Sequence, residues 1–331
     1  MTTHKRICQR SFTLVEMLVV MAIIAILAAI LLPAIRSAVS AAKNNRIAQE
    51  LSSLHQAVEA YKMKFGDYPP DFSSVQWRGA WNTPWNPATG KGNELFDSNN
   101  IVVRHLRKAF PRHTENLPAF FVDSSGNTRV PDQAEALVSW LSQLKNDPRK
   151  PLTSSTLEKH ILFSFDESRL KDPDNDGLYS YVPKDGKDMP YVYFDSRTYG
   201  WQVVTTTSPP TTIRYSSSYA VIDPGTGQNL IDSSDANTNP KKWVYLCPYN
   251  SAGVPTGCNP TTFQIISAGL DGDYGNTLVG SNPSPTQGNT PPPTVPVYKS
   301  FPTNPSLTYV PGDWDNITNF SEGKILEDHM P

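Results

Sequence analysis

Glu16 stands at the head of an apolar run, Met17 to Leu32, that contains no polar side chain over sixteen residues. A carboxylate in a membrane helix costs about 2.5–3.5 kcal/mol at the bilayer centre and less near the interface, so an acid here asks for a cationic mate. A second set of acids, Asp172, Asp174 and Asp176, alternates ahead of Gly177 in the pattern D-x-D-x-D-G. Alternating carboxylates can converge on one hard cation, and the glycine permits the sharp turn of a calcium loop. The twelfth position is Pro183 rather than a bidentate Glu, which excludes an EF-hand. Two readings stay open there, calcium or a solvated acidic turn. Cys247 and Cys258 form either a disulfide in an oxidising compartment or two thiols. Trp77, Trp81 and Trp85 could stack on a sugar, or pin a long loop to a core. His160 reads as a solvated residue before a strand. No P-loop, G-x-G-x-x-G, H-E-x-x-H or G-x-S-x-G is present, so the expectation is a protein that is not an enzyme.

The elements that carry these residues can be read from periodicity. From Phe12 to Ile35 only Thr13, Glu16 and Pro33 interrupt the apolar character, and a helix of that length, about 36 Å, crosses a hydrocarbon core. Lys5, Arg6 and Arg10 precede it, which predicts a cytoplasmic N-terminus and an outward-facing remainder. The apolar run is too long for the core of a cleaved secretory signal. Pro33 removes one backbone donor and should kink or locally melt the helix. Beyond it Ile47, Leu51, Leu54, Val58, Tyr61 and Phe65 recur in steps of three and four, one apolar stripe that Gly66 and Pro69-Pro70 terminate. Residues 101–110 and 132–145 read as short helices. Strand signals follow at 161–165, 191–194, 219–222, 243–246 and 263–266. Residues 205–212 and 281–296 are rich in Pro, Thr and Ser and carry too few apolar side chains to pack. The fold class is therefore α+β, a long N-terminal transmembrane and amphipathic helix packed on a small antiparallel sheet domain with inserted helices and loops. Net charge is −2, and about −5 without the three basic N-terminal residues, which argues against a uniformly basic nucleic-acid binder.

Ser11-Phe12-Thr13-Leu14-Val15-Glu16-Met17-Leu18 resembles the processing motif of type IV pilins and type II secretion pseudopilins. The resemblance implies that a prepilin peptidase cuts before Phe12 and methylates the new amine. It places Glu16 fifth after the cut, as the assembly acid, and Pro33 where many pilins carry a proline. The family usually has Gly before the cut, where this chain has Ser11. The new cationic amine lies four residues before Glu16, and a neighbouring copy's Glu16 could neutralise it inside an apolar filament core. The stretch from Ala57 to Pro69 is similar to the AxxxYxxxxGxYP segment of the G-type pseudopilin, the major subunit of type II secretion. Gly186 to Phe194, Ser267 to Gly275 and Asp313 to Phe320 are similar to further pieces of it. Those last two correspond to SxGxDGxxG and DDIxNW, between which that family binds calcium. Carried over by position, Asp271, Asp273 and Asp315 are the implied ligands, with Asp313 as a further candidate. Here Trp314 stands where the first Asp of that pair would be, and the connector runs about 37 residues, longer than the family's loop.

The expected organisation is a leader at 1–11, a membrane half-helix at 12–35, an amphipathic half at 36–66, an inserted region at 67–185 and a β-rich pseudopilin domain at 186–331. The resemblance implies a single-pass inner-membrane protein with a periplasmic domain, polymerising with itself and with other pseudopilins. Its other partners would be the prepilin peptidase and an inner-membrane assembly platform, with no nucleic acid. The rival readings are a minor type IV pilin and a membrane-anchored glycan-binding module built on the three tryptophans.

Overall fold

The computed structural model describes residues 14–72, 101–114, 133–172, 177–198, 249–251, 258–272, 274, 299–301 and 314–329. The chain divides into two compact units, Met1–Lys43 and Asn44–Pro331. Helix α1 runs Leu14–Phe65, with Pro33 inside it and no interruption of the helix there. In the first unit its apolar side chains are exposed throughout, Met21 to 70% and Ile30 to 69%.

In the second unit α1 ends as its sequence dictates. Gly66 adopts φ +82° and its N–H donates to the Lys62 carbonyl at 2.7 Å, a left-handed helix stop that glycine adopts without strain. Every residue of the stripe from Ile47 to Phe65 is buried. It packs in one core with helix α2 (Ile101–Ala109), helix α3 (Ala136–Ser142) and the inner face of a sheet. That sheet is antiparallel, in the order β3 (Val192–Asp195), β5 (Phe263–Ser267), β7 (Ile317–Thr318). Val192 pairs with Ile266 and Asp195 with Phe263, and Ser267 pairs with Ile317. Tyr193, Phe263 and Ile265 join the α1 core, while Val192, Phe194 and Ile266 join a second cluster with Tyr274 and Leu326. This is the period-two alternation of a sheet covered on both faces. A hairpin-like pair, β1 (Leu170–Lys171) with β2 (Ser180–Tyr181), is also antiparallel. One parallel pair, β4 (Tyr249–Ser251) with β6 (Lys299–Phe301), completes the described strands. The α+β class is as expected, and the arrangement is consistent with a pilin-like fold.

Three local readings change. The helix expected over 132–145 is confined to Ala136–Ser142. The carbonyls of Leu141 and Leu144 accept from Leu162 N–H (2.8 Å) and His160 N–H (2.7 Å), so a distant segment satisfies that end and no further helical turn is required. For the same reason 161–165 forms no strand. Its backbone is tied to the end of α3, and Phe163 and Phe165 pack edge-on against Tyr181 instead. His160 is half-buried rather than solvated. Its ring stands edge-on to Phe65 and its Nδ1 lies 2.9 Å from Lys64 Nζ. The expected strands at 219–222 and 243–246 and the tryptophans Trp77, Trp81 and Trp85 lie outside the described residues.

Buried ionisable groups in this core set opposed pH dependences. His105 Nε2 is 2.7 Å from the Tyr61 hydroxyl, and burial pushes the imidazole down to about 3, helped by the nearby Arg197 guanidinium. Asp195 moves the other way. Burial raises it to about 7 against the pull of Arg197, whose Nη2 lies 2.6 Å from its Oδ2. Unfolded histidine titrates near 6.5, so the stability from keeping His105 neutral is complete above that pH. It is lost at about 1.4 kcal/mol per pH unit as the pH falls toward 3. Unfolded aspartate titrates near 3.8, so Asp195 favours the fold most below that value, and its contribution declines as the pH rises to about 7. The two slopes offset each other between pH 3.8 and 6.5. We expect His105→Phe to remove one of them, so that its urea-unfolding free energy rises relative to that of the wild type as the pH is lowered across that window. A difference between variant and wild type that does not change with pH would show that His105 is not kept neutral in the fold.

Candidate functional site

The N-terminal candidate is a segment rather than a pocket. Ser11 and Phe12 lie outside the described residues. Glu16 sits in the first turn of α1, where a carboxylate complements the positive end of the helix dipole. Around and beyond it an eighteen-residue window of mean hydropathy 3.1 is not buried at all by its own chain. The helix is thus long and apolar enough to cross a membrane, and so large an apolar surface requires a cover of lipid or of other helices.

The second candidate is a joint where three sequence-distant segments meet. Gly269 has φ +61°, and a Cβ there would fall 2.3 Å from the Asp315 carbonyl oxygen and 2.4 Å from its carboxyl carbon. Only glycine lets the loop after β5 approach so closely. Asp315 uses the approach: its Oδ2 accepts from Leu270 N–H at 2.6 Å and Asp271 N–H at 2.9 Å. The third segment packs on the same loop. A Cβ on Gly272 would meet Lys187 Cβ at 2.7 Å, and one on Gly186 would meet the Gly269 carbonyl oxygen at 3.3 Å. The Tyr274 hydroxyl donates to the Pro190 carbonyl, and Asn316 Nδ2 donates to the Tyr274 carbonyl at 3.1 Å. Asn319 extends the sheet with its side chain, accepting from Ile265 N–H at 3.0 Å and donating to the Phe263 carbonyl at 3.1 Å.

The structure brings the backbone N–H of Asp271, not its carboxylate, to Asp315, while Asp273 and Asp313 lie outside the described residues. Asp315 Oδ1 is buried and has no hydrogen-bond partner among the described residues. A buried carboxylate oxygen that accepts from no donor is the type of ligand a hard cation takes. Among the described residues no three His, Cys, Asp or Glu side chains gather as a metal cluster. In the other acidic loop Asp172 Oδ2 accepts from Gly177 N–H at 3.1 Å, and Asp174 and Asp176 lie outside the described residues. Cys258 is buried in the second core cluster, and Cys247 lies outside the described residues.

Two polar clusters were not anticipated. Glu50, on α1, accepts from Arg169, from the Tyr181 hydroxyl at 2.9 Å and from the Tyr191 hydroxyl at 2.8 Å. Arg169 also lies over the Tyr181 ring, 4.3 Å from its centroid. The signal was available, since Glu50 interrupts the buried stripe three residues after Ile47 and next to Leu51. The second cluster centres on Arg197, which contacts Asp195, Asp67 at 2.9 Å and the Tyr68 carbonyl at 2.5 Å. It ties the turn after α1 to the end of β3. Trp140 and Tyr193 fasten the same turn through the Pro70 and Pro69 carbonyls, each at 2.8 Å.

Residues 6–32 match the family described as the prokaryotic N-terminal methylation motif. The chain thus carries a prepilin-type N-terminal signal over that segment. No curated protein and no solved structure matches the chain significantly.

Proposed function

We propose that this chain is a structural subunit of a pilin-like filament, specifically of a type II secretion pseudopilus that supports protein export. The observation that carries this reading is the methylation motif at 6–32, continuous with an apolar helix that its own chain leaves uncovered. A prepilin peptidase cuts between Ser11 and Phe12 and methylates the Phe12 amine. The basic leader stays on the cytoplasmic side of the inner membrane, and the domain that follows lies in the periplasm. Subunits leave the bilayer by packing α1 against other copies, with an assembly platform at the base. The meeting of 186–190, 267–272 and 315–319 in one joint supports the further likeness to the G-type subunit.

In this reading Asp315 Oδ1, with Asp271 and Asp273, would hold calcium, and Asp313 stands close in sequence. When bound, the ion supplies positive charge that lets these carboxylates converge and fastens the loop after β5 to the C-terminal segment. Calcium should then raise the melting midpoint of the wild type, by the equivalent of about 2.7 kcal/mol at a hundredfold excess over Kd, and not that of Asp315→Asn. Absence of any shift in the wild type would remove calcium from the proposal.

The direct test of the whole reading is the mass of the N-terminal peptide of the chain purified from membranes. We expect a peptide that starts at Phe12 and carries one methyl group. A peptide retaining residues 1–11 unmodified, in cells with an active prepilin peptidase, would contradict it.

A further inference from the structure

The segment after α3 folds back along itself. Asn146 N–H donates to the Glu158 carbonyl at 2.9 Å and His160 N–H to the Leu144 carbonyl at 2.7 Å, which sets Lys145 opposite Lys159 in an antiparallel bridge. In that pattern the two bridged residues do not bond each other, so their own N–H and C=O groups point to the two outer edges. On one edge the chain supplies a partner, since Lys145 N–H donates to the Pro151 carbonyl at 2.7 Å. On the other edge, among the described residues, no backbone group bonds the N–H or C=O of Lys159. Leu162 N–H turns inward like that of His160, to the Leu141 carbonyl, so Ile161 N–H turns outward with Lys159.

The main sheet is closed off differently. Tyr193 N–H on β3 donates to the Gln133 carbonyl and Asp195 N–H to Asp71 Oδ2, while Ile317 of β7 bridges Ile325, so both of its edges carry partners. At the open edge the side chains are also unused. Leu157 is 92% exposed and Ile161 65%, with Lys159 exposed between them. His160, the residue that alternates with them, packs instead on Phe65. Lys159 faces Lys145 across the bridge, and among the described residues neither lysine forms an ion pair with a carboxylate. Like charges directly opposite destabilise a strand pair. A second copy is a poor occupant, because two-fold pairing at Lys159 would set a third and fourth lysine beside these two. A strand that brings an acid to this position removes the repulsion.

We propose that the edge at 157–161 takes an extended segment of another polypeptide as an added antiparallel strand, of the pattern apolar-x-acid-x-apolar. The acidic residue exchanges both backbone hydrogen bonds with Lys159 and sets its carboxylate beside the ammonium. Side chains two residues to either side lie on the same face and cover Leu157 and Ile161. Main-chain bonds give such a contact its affinity, and the alternate side chains give it selectivity. The contact lies wholly within the second unit and does not depend on the filament reading.

The full-length chain in detergent micelles, titrated into labelled peptides and followed by fluorescence anisotropy with empty micelles as the blank, tests the proposal. One peptide is fluorescein-Ser-Val-Thr-Glu-Thr-Val-Ser-amide, and in the other lysine replaces the glutamate. We expect the glutamate peptide to bind at least ~tenfold more tightly, and the preference to reverse in K159E. Methylating the backbone nitrogen of that glutamate removes its donor to the Lys159 carbonyl and should abolish binding. L157S/I161S should weaken binding about tenfold. All three positions are exposed, so these variants should keep the wild-type fold, and their melting curves check this. The peptide changes need no altered protein and stand whatever the variants do. Failure of the glutamate peptide to bind, equal binding of the lysine peptide, or binding unaffected by the methyl group would overturn the proposal. So would self-association of the wild type that L157S/I161S abolishes, which marks a contact between copies.

Discussion

Glu16→Ala should leave the chain in the membrane and abolish filament assembly. In the proposed filament each cleaved copy would present a cationic amine at Phe12 in an apolar bundle, and the carboxylate of a neighbouring copy would be the group that neutralises it there. Removing one partner of a buried pair leaves the other charge uncompensated, at about 3–5 kcal/mol per contact, or roughly 10²–10⁴-fold in association. A polymer multiplies that loss at every added subunit. Glu16→Gln should fail as well, because it keeps the shape and removes the charge. Cross-linking of membranes and sheared fractions reads the outcome, and the N-terminal mass separates a failure of processing from a failure of assembly. Filaments of wild-type length from correctly processed Glu16→Ala subunits would rule out the pairing mechanism.

Glu50→Ala should strongly destabilise the second unit while leaving the N-terminus untouched. One carboxylate joins α1 to Arg169 just before β1, to Tyr181 of β2 and to Tyr191 at the entry of β3. Its removal leaves a mostly buried guanidinium and two phenol hydroxyls without their acceptor. The pair keeps some contact with water, which discounts the full buried-pair cost, so we expect about 3 kcal/mol. For a domain of this size that is a drop of roughly ten degrees in Tm. Glu50→Gln can still accept from the tyrosines and should cost about half as much. Thermal unfolding followed by near-ultraviolet circular dichroism distinguishes the three proteins. A Glu50→Ala midpoint within a degree of wild type would show that the clamp adds nothing.

These two carboxylates differ in how openly the sequence announces them. Glu16 is conspicuous because the surrounding residues are uniformly apolar, and the motif around it is contiguous. Glu50 lies in an ordinary helical pattern, and its three partners come from 119, 131 and 141 residues further along the chain. The glycine of the loop after β5 could be seen in advance as part of a signature. What it is for, the close approach of Asp315, required the two segments to be placed side by side.

The chain's local chemistry was enough to establish the long helix, its stop at Gly66, the buried stripe from Ile47 to Phe65 and the strands around 192–195 and 263–267. Each of these rests on short-range periodicity or on one residue's backbone freedom, which a linear reading captures. The end of α3 at Ser142, the absence of a strand at 161–165, the burial of Asp195 beside Arg197 and the meeting of Asp271 with Asp315 were decided by tertiary structure alone. In each case a backbone or charged group took a partner distant in sequence. Desolvation makes such partners obligatory, but composition and spacing do not say which distant group will arrive.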